Sequence, residues 1–239
     1  MTLRTELRFL RLNALVTTTA LVVLVSTGFV RQSRTKFETI DVERINVVET
    51  SGQVRLVISN LARSPAPIER GLAFGYQPGN RAGMIFYNEE GTENGGLIFS
   101  GHRDSAGKYE AVGSLTFDQY EQDQTVALQY VDSDGRRRAG LAINDYPLGV
   151  SSMQLDKRYK RIQAITDSVA KADSMKAFEP FTGRPRLYAG RARNGSSLVS
   201  LNDPGGKVRL RLSVDSLGAA RIEFLNKDGN VIKTINETH

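Results

Sequence analysis

The sequence of 239 residues contains no cysteine and no tryptophan, and it has only two histidines. Without cysteine the chain forms no disulfide bond and carries no lipid-modified N-terminal cysteine, which leaves the redox compartment open. One of the histidines, His239, is the last residue, and a lone His102 makes no zinc site without carboxylates from elsewhere. We therefore expect no metal and no other cofactor.

Charged residues are also absent from one long stretch, residues 12–30 (LNALVTTTALVVLVSTGFV). At about 1.5 Å of rise per residue, a helix of this length nearly covers the roughly 30 Å hydrocarbon core of a bilayer. The run exceeds the about 7–15 apolar residues of a cleaved signal peptide, and it ends in a poor small-x-small cleavage site. The pattern favours a retained transmembrane anchor that contacts the lipid bilayer over a signal peptide.

Basic residues flank the predicted anchor on both sides. Three arginines precede it in the short tail of residues 1–11, and three basic residues follow it in the linker of residues 31–36. The positive-inside rule therefore gives almost no preference for either orientation of the span. Because a short tail ahead of a first span usually stays in the cytoplasm, we expect a single-pass protein whose bulk is extracytoplasmic.

The net charge of +6 and the isoelectric point near 9.6 suggest a nucleic-acid-binding protein, but the distribution of charge does not. Residues 1–36 carry six basic side chains and one acidic, whereas the rest of the chain is almost balanced, so no nucleic acid is expected. Residues 155–193 carry ten basic and four acidic side chains. This basic region is either a solvated helix or a surface for a protein or acidic envelope partner.

The remaining residues, 37–236, alternate between apolar and polar residues as strands do. In KVRLRLSVD (Lys207–Asp215), every second residue from Val208 to Val214 is apolar, which predicts a strand with one buried and one wet face. Turn sequences rich in Asp, Asn and Gly separate such segments, since glycine takes the positive φ of tight hairpins. These turns are ETSG, NEEGTENGG, DSDG, DPGG, DSLG and NKDG. The repeats predict a mainly β domain of antiparallel hairpins or a meander, forming a barrel, a sandwich or a prism-like body.

One segment of this domain has helical periodicity instead. Between 153 and 178, apolar residues recur every three or four positions, from Leu155 to Met175. Pro147 precedes the segment, and Pro180 follows it. We predict one amphipathic helix, inserted in the β-rich domain and packed across it.

The sequence FETIDVERINVVETSGQVRLVISN at 37–60 resembles the opening of a group of uncharacterised bacterial proteins that have one N-terminal hydrophobic segment. The similarity continues in RAGMIFYNEEGTENGGLIF and in GSLTFDQYEQDQTVALQY, and it extends to about residue 145. The resemblance implies a bacterial origin and a β-rich exported or anchored body. The resemblance implies no activity, and it therefore assigns no site residue in this chain.

Candidates for ligand contact lie in two segments. FSGHRDSAG predicts a glycine-flanked loop with His102, Arg103 and Asp104, and TFDQYEQDQ contains Asp118 and Glu121. Ser100, His102 and Asp104 of the first segment are not expected to form a catalytic triad, because neighbours on one extended loop point in different directions. Two carboxylates are the minimum for glycoside hydrolysis, but strand-edge solubility explains the second set as well. The glycine-rich turns lack the Lys-Ser/Thr of a phosphate-binding loop.

Three hypotheses about function follow. The first is a non-enzymatic, membrane-anchored binding or structural module of the bacterial envelope. The second is a hydrolase of envelope polysaccharide that uses carboxylates such as Asp118 and Glu121. The third is a subunit of a larger envelope assembly that presents the helix at 153–178 to its partners.

Overall fold

The structure is a computed structural model, and it describes residues 3–28 and 36–237. Its contacts divide the chain into two units, with the boundary between Asp41 and Val42. The first unit contains helix α1, Leu3–Gly28. Three successive threonines of α1, Thr17 to Thr19, donate their hydroxyls to backbone carbonyls four residues earlier at 2.7–2.8 Å, which satisfies these polar groups inside the helix.

Helix α1 has the length and composition of a membrane span or of a signal sequence. Among the described residues it is the one helix that passes this criterion, over Leu3–Leu24. The helix begins at Leu3 rather than at residue 12, because the tail of residues 1–11 is rich in Leu and Arg, which are good helix formers. Residues 29–30 of the predicted anchor and 31–35 of the predicted linker lie outside the described residues.

The second unit contains one large antiparallel sheet, which confirms the prediction of a mainly β meander. In chain order, the strands are β1 Arg44–Val48, β2 Val54–Ser59, β3 Ile68–Glu69, β4 Leu72–Ala73, β5 Gly83–Tyr87, β6 Glu93–Arg103, β7 Tyr109–Asp118, β8 Gln124–Ser133, β9 Arg136–Asp145, β10 Arg184–Arg191, β11 Ser197–Asn202, β12 Val208–Val214, β13 Ala220–Leu225 and β14 Val231–Asn236. Twelve of them pair in the order β1-β2-β5-β6-β7-β8-β9-β10-β11-β12-β13-β14, and β3 pairs with β4. In the described chain the sheet does not close into a barrel, and β1 and β14 are its edges.

The predicted turns connect neighbouring strands, and most share one arrangement. The carboxylate of Asp203 accepts hydrogen bonds from the backbone N–H groups of Gly205 and Lys207 at 2.9 and 3.0 Å, which fixes the turn as an Asx side chain does. Asn88, Asp104, Asp215 and Asn226 accept from residues two and four positions later in the same way. Gly95 and Gly96, predicted in a turn, belong to strand β6 instead.

The pairing register aligns one apolar residue from every strand of the large sheet. We call this row the apolar ladder: Ile45, Ile58, Met84, Leu97, Leu115, Leu128, Leu141, Ala189, Val199, Leu212, Ile222 and Ile235. Paired residues lie on the same face, and that face also carries the residues two positions away in each strand. The alternation in the sequence thus correctly predicts which residues share one face of the sheet.

The same face is not buried, however, and here the expectation from KVRLRLSVD is wrong. Leu212 is 39% exposed and Val214 is 44% exposed. The buried cluster lies on the opposite face near the N-terminal end of the sheet, where Val57, Ile85 and Tyr87 pack together. Sequence alternation identifies an apolar face, but only tertiary packing decides whether another layer covers it.

The predicted single helix at 153–178 is two helices, α2 Ser152–Gln163 and α3 Ser168–Phe178, followed by a 3₁₀ helix, Glu179–Phe181. Asp167 causes the break, because its extended backbone and its side chain, which accepts from the N–H of Ala170 at 2.7 Å, start a new helix.

Part of the apolar stripe of these two helices is covered by the protein. Ile162 and Phe178 are buried, and the rings of Tyr159 and Phe178 lie 6.0 Å apart. Tyr159 is 43% exposed and Val169 is 68% exposed, and Ala172 is exposed as well. The stripe is therefore covered at Ile162 and Phe178 and remains partly exposed elsewhere, mainly on α3.

Substitution of a buried residue on the covered face tests this architecture. Ile85 is 2% exposed, so Ile85→Ala should lower the free energy of unfolding by about 2–5 kcal/mol through lost burial and a cavity. Ile232, on the edge strand β14, is 66% exposed, and Ile232→Ala should change it by only about 0.5 kcal/mol. Urea denaturation of both variants measures the difference, and equal losses would contradict the assignment of the core.

Candidate functional site

A cavity of about 530 Å³ lies in the second unit, where the ends of β6, β7 and β8 meet the β3–β4 hairpin and the helices. Its walls are aromatic and acidic. The aromatic residues are Phe74, Tyr76, Tyr146, Tyr159, Phe178 and Phe181. The acidic residues are Glu69, Glu93, Asp118, Glu121, Asp123 and Asp156. Its size and its mixture of apolar walls and a few polar groups are those of a small-ligand site.

Irregular strand pairing positions the carboxylates of this cavity. The register of β5 and β6 shifts between Phe86 and Tyr87, so that Glu93 is aligned with Tyr87. The register of β7 and β8 shifts between Phe117 and Asp118. Such bulges redirect the next side chain out of the regular alternation. The first bulge turns Glu93 away from the face of Gly95 and Leu97 to the face of Tyr87, where the alternation after Phe117 already places Asp118.

Arg81 and Glu93 form a two-pronged ion pair in the wall. The two guanidinium nitrogens lie 2.6 and 2.7 Å from the two carboxylate oxygens, and both side chains are largely shielded from solvent. The guanidinium also lies 5.2 Å from the centre of the Tyr76 ring, an arrangement favourable for a cation over an aromatic face. This fork geometry holds both charges in fixed positions.

Asp118 lies beside this pair but is not neutralised by it. Burial, together with the charges of Glu93 and Asp123, raises the pKa of Asp118 to about 8, although the charge of Arg81 opposes the shift. Its Oδ1 atom is buried and has no hydrogen-bond partner in the part of the chain that the structure describes. At neutral pH Asp118 is therefore a carboxylic acid in a cavity whose other carboxylates include Asp123.

Gln122 supplies a second unpaired acceptor. Its side chain is 6% exposed, and its amide nitrogen donates to the carbonyl oxygens of Pro147, at 3.3 Å, and Val150. Its Oε1 atom has no partner among the described residues. Because buried polar atoms are normally hydrogen-bonded, this oxygen indicates a missing donor.

Two lining segments have unusual backbone geometry. Arg70 (φ 48°) and Glu121 (φ 54°) both adopt the left-handed conformation, which costs energy for residues other than glycine. Their side chains form an ion pair that connects the β3–β4 hairpin to the β7–β8 turn. The backbone carbonyl of Glu121 also accepts from the N–H of Ser152, at the start of α2, at 2.8 Å. The contacts that join the cavity walls thus keep both residues in this strained backbone conformation.

Glu69 anchors helix α2 against the cavity. Its carboxylate accepts a hydrogen bond from the Ser151 hydroxyl at 2.7 Å and from the backbone N–H of Met153 at 2.9 Å. Ser151 is also the N-cap of α2, in a capping box with Gln154. A negative charge at this helix end is favourable, so Glu69 has a structural role and is not free to bind a ligand.

The structure separates the candidates proposed from sequence. Asp118 and Glu121 line the same cavity. His102 and Arg103 belong to strand β6, not to a loop, because its pairing with β7 continues to Arg103 and Tyr109. His102 is exposed, Arg103 stacks 5.3 Å from the Tyr109 ring centre, and Asp104 holds the following turn.

The basic region 155–193 is divided between different structural roles. Arg158 on α2 lies over the Phe181 ring at 4.5 Å, and Lys160 pairs with Asp156 at 2.8 Å. Arg186 on β10 pairs with Asp145 of β9. These partners account for part of the excess charge within the domain.

Sequence reasoning missed Arg81, Glu93 and the tyrosines of the cavity. Glu93 and Asp118 lie in separate hairpins, and nothing in their spacing indicates that a bulge beside Glu93 brings them to one cavity. Strand β10 was also missed, because Pro185 and Gly190 weaken its strand pattern.

Among the described residues, no group of three Asp, Glu or His side chains is placed to hold a metal ion. No protein-family model matches this chain, and no curated protein matches it either.

The shifted pKa of Asp118 predicts a pH-dependent effect of Asp118→Asn. In the unfolded chain Asp118 ionises near its ordinary pKa of about 3.9, whereas the folded protein keeps the proton up to about pH 8. The wild type therefore loses stability as the pH rises from 4 to 8, and the neutral asparagine does not. The variant should match the wild type at pH 4 and unfold at a higher temperature at pH 8. Calorimetry at both values measures this.

The control is Asp173→Asn, at an exposed position on α3. Its melting temperature should follow the wild type at both pH values. An Asp118→Asn variant whose difference from wild type is the same at pH 4 and pH 8 would show that folding does not raise the pKa of Asp118.

Proposed function

We propose that this chain is a non-enzymatic module of the bacterial envelope, held by its N-terminal helix in the membrane, that binds a ligand in the acidic aromatic cavity. The observation that supports binding most directly is the pair of buried, unpartnered oxygens, Asp118 Oδ1 and Gln122 Oε1. Both lie among residues that line one cavity. A ligand that donates hydrogen bonds to both removes the cost of leaving them unpaired.

The chemistry of the walls favours a ligand that is rich in hydroxyl groups. Carboxylate and amide oxygens accept hydrogen bonds from hydroxyls, and aromatic rings such as Tyr76 and Tyr146 offer flat apolar faces. Burial raises the pKa of the Tyr76 hydroxyl to about 12, so that it stays protonated and can itself donate. A segment of envelope polysaccharide combines hydroxyl edges with apolar ring faces and fits this wall.

Helix α1 supports the membrane location. Its apolar length suits a bilayer, and its threonine hydroxyls bond within the helix, which lowers the cost of placing them in hydrocarbon. We propose that the helix is retained as a single-pass anchor and that the β-rich domain is extracytoplasmic.

Anchor retention is tested by intact-mass measurement of the protein extracted from the membrane fraction. The measured mass should correspond to a chain that starts at or near Met1. A mature chain that starts near residues 27–35 would show instead that α1 is a cleaved signal sequence.

A second candidate function is a hydrolase of envelope polysaccharide, and the state of Asp118 favours it. Glycoside hydrolysis needs one protonated and one ionised carboxyl group across the scissile bond. Asp118 supplies a carboxylic acid at neutral pH, and Asp123 or Glu121 supplies the carboxylate in the same cavity. Asp118 would then protonate the leaving oxygen while the carboxylate activates water.

One experiment distinguishes the two functions. The wild-type protein is titrated calorimetrically with a β-1,4-linked tetramer of N-acetylglucosamine, and new reducing ends are counted after prolonged incubation. A binding module should bind the tetramer without cleaving it, and Tyr146→Ala should weaken binding at least tenfold because a stacking face is lost. Cleavage that disappears in Asp118→Asn would establish the hydrolase.

The matched control is Asp104→Asn, in a turn outside the cavity, which should leave binding unchanged. If the wild type neither binds nor cleaves this tetramer or a soluble peptidoglycan digest, the proposal of a saccharide site is wrong.

A further inference from the structure

The apolar face of the sheet is larger than the cavity and independent of it. The apolar ladder contributes one residue from each of twelve strands and contains no charged residue. A second row lies beside it, two residues along each strand, and is apolar or glycine until the last strand. This row is Val47, Leu56, Phe86, Gly95, Phe117, Val126, Ile143, Leu187, Leu201, Leu210, Phe224 and Lys233. At about 4.8 Å between strands, the two rows extend about 50 Å across the sheet.

No layer of the second unit, as the structure describes it, covers this face. None of the ladder residues is buried. Thirteen large apolar side chains of the face are each 36–61% exposed: Ile45, Val47, Phe99, Phe117, Leu128, Tyr130, Leu141, Val199, Leu201, Leu212, Val214, Phe224 and Ile235. With a full side-chain area on the order of 150–200 Å² each, they expose about 1,000 Å² of apolar surface. The largest apolar patch of a typical monomer is about 300–600 Å².

This area is what a stable dimer needs. Standard interfaces bury about 800 Å² on each partner, and their centres are poor in charge and rich in aliphatic and aromatic side chains. The opposite face of the C-terminal strands is polar, with Arg211 paired to Glu223 at 2.7 Å and Arg221 paired to Asp215 at 3.3 Å. The apolar face is thus suited to contact with a partner protein, and the polar face is suited to exposure to solvent.

We propose that the apolar face of the large sheet is the interface between two copies of this chain, packed face to face. Because both copies offer the same surface, the contact is isologous and closes at two copies. The polar opposite face stops further stacking. Two sheets packed in this way lie about 10 Å apart, so that side chains of the two ladders interdigitate.

A lipid chain would cover less of the apolar face than a second copy of the protein. The face is hollow near its C-terminal end, where a cavity of about 730 Å³ is lined by residues that include Val199, Leu212 and Ile222. An acyl chain fills a hollow of this kind. It leaves Leu128 and Phe117, 55% and 49% exposed at the other end of the face, in water. A second copy covers both regions at once.

Native mass spectrometry of the full chain, released from detergent micelles, tests the proposal, since it counts both copies and bound lipids. The wild type should have the mass of two copies. Leu212→Asp should convert it to one copy with unchanged far-ultraviolet circular dichroism, because Leu212 is half exposed in the single chain and tolerates a charge there. Ser213→Asp, one residue away on the polar face, should remain at two copies.

A second pair of variants keeps the test decisive if Leu212→Asp does not fold. Leu128→Lys lies on the apolar face in the other half of the sheet, and Gln129→Lys lies next to it on the opposite face. Leu128→Lys should give one copy, and Gln129→Lys should give two.

Three results would overturn the proposal. The first is a wild type of one copy without bound lipid, and the second is one copy with a bound lipid, which would make the face a lipid site. The third is a dimer that persists in folded Leu212→Asp and Leu128→Lys, which would place the contact on helix α1 or on the strand edges. None of these results bears on saccharide binding, which is measured separately.

Discussion

The register of the antiparallel pairs is the constraint on which the rest of this structure depends. Side chains alternate between faces every residue, so a slip of one residue in any hairpin would turn the following apolar set to the other face. The turns prevent the slip, because the Asx side chains of Asp203, Asp215 and Asn226 each bind two backbone amides and fix the length of the connection. A row of apolar residues from Ile45 to Ile235 is the consequence.

The cavity arises where that register is broken. The shift before Tyr87 and the shift before Asp118 lie at the same end of neighbouring hairpins, and the first releases Glu93 from the regular alternation. The released Glu93 forms its ion pair with Arg81 on the face where the alternation places Asp118, which remains unpaired. The regular part of the sheet therefore provides a surface, and its irregular part provides a site.

Sequence alone predicts the regular part well. Alternation, turn composition and helical spacing give the meander, the facing of Leu212 and the position of the helical segment, because these depend on neighbours in sequence. Sequence reasoning misses the break at Asp167, which is a local helix cap. It also misses the strand containing Pro185 and the exposure of the apolar face, which depend on distant contacts. The carboxylates Asp118 and Glu121 are found as candidates, but their proximity to Glu93 follows from a bulge in the β5–β6 pairing that no local pattern indicates.

The distribution of burial connects the apolar face to stability. In the described chain, the apolar side chains that are buried lie mainly near the N-terminal strands and the helices, and β10 to β14 contain only Leu225 among them. Burial of apolar surface is the main favourable term in folding, so the C-terminal strands gain little of it from the single chain. If a second copy covers the ladder, these strands complete their burial at the interface. Their stability then rises with protein concentration, as it does when a partner binds only the folded state.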